Sequence, residues 1–268
     1  MSNWQQFLDI AVEAAHRAGR FQRYRFSSAL TVSMKGDKNL VTEVDQESER
    51  LIVSHLLDSF PDHIILAEEG DYPQGDAPFR WIIDPLDGTT NYAHGFPWFC
   101  VSIGLESTGE LVMGVIYNPM HDELFTATKG GGAFLNGQRL HVSTRTPLKN
   151  TLLGTGFPYD CASDPANNFD NFIAFQKAAR GIRRAGAAAL DLAYVAAGRL
   201  DGFWELKLKP WDVAAGVLLV REAGGTVTTF DGSDYDVFNH RIVASNGLIH
   251  EEMTAMLTKL DQVSPHES

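Results

Sequence analysis

Apolar residues recur at three- and four-residue intervals at the start of the chain: Trp4, Phe7, Leu8, Ile10, Ala11, Ala14, Ala15 and Ala18. That spacing lines one face of an α-helix, so residues 3–26 are predicted to form an amphipathic helix. A second helical stretch runs from Thr42 to Phe60, with Leu51, Ile52, His55, Leu56 and Leu57 along it and Pro61 as its stop. Short apolar runs then take over, and 63–68, 79–84, 98–106, 111–118 and 122–128 read as strands. Beyond about residue 146 the types alternate. A strand at 150–155 and a Pro/Asp/Asn-rich loop at 158–168 lead to helix 168–180 and strand 181–184. A small-residue helix 187–198, strand 202–206, helix 211–223, strands 225–230 and 241–244, and helix 248–260 complete the pattern. Such alternation predicts an α/β layered fold. A soft boundary near Ser143–Lys149 divides it into an α+β part, 1–145, and an α/β part, 146–268. The tail Ser264–Ser268 is expected to fray.

The densest chemistry sits where the second predicted strand ends, in Trp81-Ile82-Ile83-Asp84-Pro85-Leu86-Asp87-Gly88-Thr89-Thr90-Asn91. Pro85 and Gly88 favour a turn that lets both carboxylates enter one small space. Like charges so close repel unless a cation lies between them. Oxygen ligands on a tight loop suit a hard ion such as Mg²⁺, which also binds phosphate. Taken alone, Asp-Pro-x-Asp-Gly is equally good surface-turn chemistry. Two other places change the balance. Ile64-Ile65-Leu66-Ala67 ends in Glu68-Glu69-Gly70, and Asp212 opens the Ala- and Leu-rich stretch running to Ala223. In isolation, Glu68 and Glu69 are solvated charges and Asp212 is a helix N-cap. Three element ends that offer carboxylate to one space suit a two- or three-metal hydrolase acting on phosphate.

Other chemistries lack their signatures. Lys129-Gly130-Gly131-Gly132 has neither the Gly-Lys-Ser/Thr ending nor the following helix of a phosphate-binding loop, and reads as a hairpin connection. His63, His94, His121 and His141 show no zinc spacing, and no Gly-x-Ser-x-Gly elbow is present. A net charge of −12, with no Lys/Arg run longer than two, argues against direct nucleic-acid binding. At 268 residues and 44% hydrophobic the chain can fill one large core or two modest ones. The two cysteines, Cys100 and Cys161, have no metal-ligand spacing, and Cys100 lies in a core-like run. With a polar N-terminus and no apolar stretch of membrane-spanning length, a soluble cytoplasmic protein is expected, with no membrane partner.

The chain resembles the inositol monophosphatase family. The resemblance rests on Trp81 to Asn91, on Glu68-Glu69 and on Trp211-Asp212-Val213-Ala214-Ala215-Gly216, with lesser matches at Leu40 to Asp45 and Gly186 to Ala189. Order and spacing agree from about Trp4 to the last helix, and the bacterial inositol-1-monophosphatase branch is most similar. The resemblance implies the five-layer α-β-α-β-α sandwich of sugar phosphatases, with metals at the seam between the two parts. It implies that Glu68, Asp84 and the Leu86 carbonyl hold a first Mg²⁺. Asp84, Asp87 and Asp212 would hold a second, and Glu68 with waters a weaker third. The nucleophile would be a metal-activated water oriented by Thr89, which is backed by Asp45; N–H groups at Gly88 and Thr89 would cradle the phosphate. Glu205, Asp87, Asp212 and the Ala188 N–H would meet the polyol. One departure is Ala187, where relatives commonly carry Ser or Thr; loss of that hydroxyl would affect polyol preference and leave the metal chemistry intact. A homodimer and inhibition by Li⁺ are also implied. Substrate remains open at this point among inositol monophosphates, histidinol phosphate, fructose 1,6-bisphosphate and 3′-phosphoadenosine 5′-phosphate. So does a protein-partner role in the transcription or RNA machinery.

Overall fold

The first helical pattern gives α1 (Gln5–Arg25) and the second gives α2 (Glu43–Ser59), joined through the short antiparallel pair β1 (Val32–Met34) and β2 (Leu40–Thr42). These and all later elements belong to a computed structural model that describes residues 4–26, 32–34 and 40–263. The tail 264–268, expected to fray, lies outside the described residues. Then come β3 (Ile64–Ala67), β4 (Phe79–Asp87), the short α3 (Thr89–Ala93), β5 (Cys100–Ser107), β6 (Glu110–Asn118), β7 (Glu123–Thr128), β8 (Gly132–Leu135) and β9 (Gln138–Arg139). The later part contributes β10 (Leu152–Thr155), α4 (Phe169–Ala178), β11 (Gly181–Arg183), α5 (Ala188–Ala196), β12 (Gly202–Leu206) and α6 (Pro210–Glu222). It closes with β13 (Thr226–Thr228), β14 (Arg241–Ser245) and α7 (His250–Val263).

Two sheets result. The larger runs in sequence order from β3 to β9, parallel between β3 and β4 and antiparallel elsewhere. The smaller has the order β11-β10-β12-β14-β13, with β10 parallel to both of its neighbours. Both faces of the large sheet are covered, which is why its strands read as unbroken apolar runs. Trp81 and Ile83 point towards Ala11, Ala14 and Ala18 of α1 and Ile52 and Leu56 of α2. Ile82, between them, points the other way into a core shared with α5 and α6. On the far side of the small sheet, Phe175 of α4 and Met253 and Leu257 of α7 pack on Trp204 and Val243. The layers are therefore helices, sheet, helices, sheet, helices, the five-layer sandwich that the resemblance implied.

Helix α6 lies unusually close to the large sheet. A methyl group added at Gly104 would stand 2.9 Å from the Ala214 methyl carbon, and one at Gly114 would stand 2.8 Å from the Ala215 carbonyl oxygen. Only a bare backbone at these two strand positions admits the helix, and this approach carries its N-terminal Asp212 to the ends of β4 and β5.

The hairpin reading of the glycine run holds, since β7 pairs with β8 across it. Its Gly130 and Gly132 N–H groups each donate to the Glu222 carboxylate at 2.8 Å, so an acid of α6 occupies the place an anion would take. Strands β8 and β9 were not anticipated. Their turn, Asn136-Gly137, has φ of 48° and 79°, the pair of positive angles that Asn-Gly supplies in a two-residue hairpin.

Candidate active site

Strand β4 does not stop at Asp84 in a turn, as the sequence suggested; it continues through Pro85 to Asp87. Asp84 faces Ser102 of β5 and Asp87 faces Cys100, so three steps along β4 span two along β5. This is a β-bulge of one extra residue. In a regular strand, residues three apart point to opposite faces. The bulge returns Asp87 to the face of Asp84, and proline is tolerated there because the ladder is already interrupted. Both carboxylates are buried, with 2% and 9% of their surface exposed. Leu86 N–H donates to Asp84 at 3.0 Å. Gly88 then turns the chain into α3 with φ at 101°; an added methyl group would stand 2.9 Å from the Trp98 carbonyl oxygen, so no other residue suits both the angle and the space.

Thr89, the first residue of α3, donates its hydroxyl to Asp45 at 2.8 Å and lies 3.2 Å from the Leu86 carbonyl oxygen. Asp45 is not the helix-surface charge that its sequence position alone would suggest; it is fully buried. It sits in the first turn of α2 and completes a capping box. Its other oxygen accepts from Thr42 N–H at 2.8 Å and from the Thr42 hydroxyl, and Val44 N–H in turn donates to that hydroxyl at 3.1 Å. Burial raises the Asp45 carboxyl above the ordinary range, against the pull of these donors.

Asp212 occupies the third position of α6 rather than the cap. Its carboxylate accepts from Lys209 N–H at 2.7 Å, and Pro210 fills the first helical position. Asp87 plays a similar part for α5. The capping position there is Ala187, which has no side-chain acceptor. The Ala189 N–H donates instead to Asp87 at 2.8 Å. The Ala188 N–H, expected to meet the polyol, lies beside it at the first position of α5. Glu68 follows β3 directly and is half-buried.

Burial and mutual repulsion shape this group electrostatically. Burial, followed by the charges of Glu68, Asp87 and Asp212, pushes Asp84 well above the carboxylate range. Asp87 and Asp212 are each pushed up to about 7, chiefly by burial. Among the described residues, no three His, Cys, Asp or Glu side chains close round one point as a finished metal cage. The carboxylates act on one another through space from β3, β4 and α6. An all-oxygen donor set of mutually repelling acids has the chemistry that a hard divalent cation satisfies.

Glu205 of β12 is half-buried and raised by burial, then by Asp191 and Asp212. Arg184 eases the charge on both Glu205 and Asp191, but among the described residues it forms no ion pair with Asp191. His94 is exposed at the end of α3. Three neighbours of the site were not singled out. The Asn91 amide donates to the carbonyls of Trp98 at 2.8 Å and Ala185 at 2.9 Å, tying α3 to the turn before α5. Burial raises the Tyr159 hydroxyl, which also senses the charges of Glu68, Asp87 and Asp212. Asp191 is a buried acid in α5 that also feels Asp87. Asn91 closes the acid motif and could have been suspected; the other two are visible only once the chain is folded.

The model of the inositol monophosphatase family matches residues 3–262. The chain belongs to that family. It is 46% identical over 263 residues to the inositol-1-monophosphatase of Synechocystis, covering 97% of this chain and 92% of the relative. It is 47% identical over 253 residues to the Nus factor SuhB of Escherichia coli, covering 92% and 94%. The solved inositol monophosphatase of Anabaena superposes with a TM-score of 0.89 at 44% identity, covering 99% of this chain and all of that one. Membership of the inositol monophosphatase family implies a phosphatase that acts on small phosphate esters.

Proposed function

We propose that this phosphatase is Mg²⁺-dependent and hydrolyses inositol monophosphates and similar polyol phosphates. The observation that chiefly supports the reading is the bulge that turns Asp84 and Asp87 to one face, opposite Asp212 and beside the Thr89–Asp45 pair. In this reading Glu68, Asp84, the Leu86 carbonyl, Asp87 and Asp212 hold two to three Mg²⁺ ions. Bound Mg²⁺ supplies charge neutralisation for the phosphate and a lowered pKa for water. Both are needed, because uncatalysed hydrolysis of a phosphate monoester demands acceleration of up to about 10²¹-fold.

The chain's own groups do the positioning. The Thr89 hydrogen is committed to Asp45, which leaves the hydroxyl oxygen to accept a hydrogen bond from water and aim that water at phosphorus. Asp45, buried and fixed by Thr42, keeps the Thr89 rotamer in place. Gly88 and Thr89 open α3, whose first N–H groups lack carbonyl partners within the helix and face an anion favourably. Glu205 and Asp212 accept hydroxyl hydrogen bonds from the polyol. A site with half-buried acceptors of this kind disfavours analogues that lack the hydroxyls. The same family likeness supports a homodimer and inhibition by Li⁺.

The test is phosphate release from inositol 1-phosphate, glycerol 2-phosphate, histidinol phosphate, fructose 1,6-bisphosphate and 3′-phosphoadenosine 5′-phosphate, with Mg²⁺, with chelator, and with Mg²⁺ plus Li⁺. Fastest Mg²⁺-dependent release from inositol 1-phosphate, suppressed by Li⁺, is the expected outcome. A faster alternative substrate overturns the polyol assignment. A second reading, binding of a protein partner, draws on the name Nus factor carried by relatives at 47% identity. It takes the lead if folded, Mg²⁺-supplied protein turns over none of these esters.

A further inference from the structure

Helix α2 carries two buried carboxylates one turn apart on a single face. Asp45 holds Thr89. The second, Glu49, is 3% exposed and has no part in the chemistry described so far. One of its oxygens accepts from the Glu69 N–H at 2.8 Å and the other from the Tyr72 hydroxyl at 2.9 Å. Both donors lie in the irregular chain that follows β3, starting one residue after Glu68. Gly70 fits between them closely: an added methyl group would stand 2.7 Å from the Glu49 carboxylate and 2.9 Å from the Tyr72 ring.

We propose that Glu49 is a positioning residue that latches the Glu68–Tyr72 segment to α2 and so fixes where Glu68 presents its carboxylate. One helix would then set both the Thr89 hydroxyl, through Asp45, and the Glu68 ligand, through Glu49. The latch adds direction to packing, since the Tyr72 ring also rests partly buried against the core beneath α1 and α2. A cavity of about 400 Å³, lined by Gln46, Glu49, Arg50, Val53, Glu69 and Tyr72, lies against the segment. Charge-assisted hydrogen bonds of this kind are roughly twice as strong as neutral ones and specify direction. Partners one step removed from a metal ligand commonly tune metal affinity.

The inference rests on the reading of Glu68 as a metal ligand, and the test keeps the two apart. Glu49→Gln leaves one good acceptor for two donors, and Tyr72→Phe removes a single donor; both changes are mild enough to fold. Hydrogen exchange of amides 68–74 in the chelated full-length protein reads the latch directly, without activity. The expected result is faster exchange confined to that segment in both variants. Alongside it, the Mg²⁺ concentration for half-maximal phosphate release should rise roughly tenfold in Glu49→Gln. In Tyr72→Phe the rise should be about two- to threefold, the worth of one hydrogen bond. The KM for inositol 1-phosphate stays unchanged. Unaltered exchange at 68–74 in both variants overturns the latch, as does exchange that rises equally through α2 and β4 while KM and Mg²⁺ dependence move together. A Glu68→Gln control with unchanged Mg²⁺ half-saturation overturns the ligand reading instead, whatever exchange shows.

Discussion

Asp87→Asn should make the metal-free protein more stable while nearly abolishing turnover. The Asp87 carboxyl is pushed from its ordinary 3.8 up to about 7, first by burial and then by the charge of Glu68. At about 1.4 kcal/mol for each pKa unit, ionised Asp87 costs the fold at most about 4 kcal/mol. The cleft admits solvent, and its acids share their protons, so a gain of about 1–3 kcal/mol on neutralisation is expected, or roughly 3–10 °C in Tm. Asparagine keeps an oxygen for the Ala189 N–H, so the contact with α5 survives the change. The pH dependence follows from linkage. A carboxyl whose folded pKa exceeds its unfolded one binds more protons when folded. Its penalty is therefore complete above about pH 7 and fades as pH falls towards 3.8. Thermal melts of both proteins in chelator should differ most at pH 8 and by less than about 1 kcal/mol at pH 4.5. With Mg²⁺ the order should reverse, because ions that bind only the folded state stabilise the wild type selectively. A variant that is less stable at pH 8 without metal, or a gap that ignores pH, refutes the electrostatic reasoning. Near-normal turnover in the variant refutes the assignment of Asp87 as a metal ligand.

Thr89→Ala should lower kcat by about 10²–10³-fold at nearly constant KM, since it removes a group aimed at the attacking water. Thr89→Ser should stay within roughly tenfold of wild type because its hydroxyl can still donate to Asp45. Steady-state kinetics on inositol 1-phosphate decide this, and normal kcat in the alanine variant removes Thr89 from the machinery. Ala187→Ser adds a side-chain acceptor at the start of α5, beside the Asp87 that already takes the Ala189 N–H, and should raise stability by at most about 1 kcal/mol. A urea midpoint that moves downward instead would show that the buried position has no room for a hydroxyl.

The layered fold was legible because its elements are strongly patterned. Residues at helical spacing from Trp4 to Ala18 became the buried face of α1, and strands covered on both faces showed themselves as unbroken apolar runs. The Asn136-Gly137 hairpin carries an equally local signal in its turn dipeptide. Site geometry was less legible, and for reasons of register. Asp-Pro-Leu-Asp-Gly is compatible with a surface turn and with a bulge, and only pairing with Cys100 and Ser102, more than a dozen residues away, selects the bulge. Asp45 looks solvent-facing until the Gly88 turn lowers Thr89 onto it. Asp191 and Tyr159 reach the acids only through the stacking of the two sheets, which no local pattern encodes.

Three of the acids have a common placement that bears on the cation requirement proposed above. Asp45 sits in the first turn of α2, Asp212 in the first turn of α6, and Asp87 caps α5 from outside. Each faces the positive end of a helix, an arrangement worth about 0.3–1 kcal/mol per carboxylate. Helix ends therefore explain how the fold tolerates buried acids singly. They do not explain the convergence. Asp45 is spent on Thr89, and the two helix ends left to Asp87 and Asp212 offset at most about 2 kcal/mol. Two carboxyls that have each been pushed to about 7 carry a larger penalty than that, and Asp84, on a strand, adds to it. The backbone leaves this site short of positive charge, and a divalent cation bound among its oxygens is the species whose charge and ligand preference match the deficit.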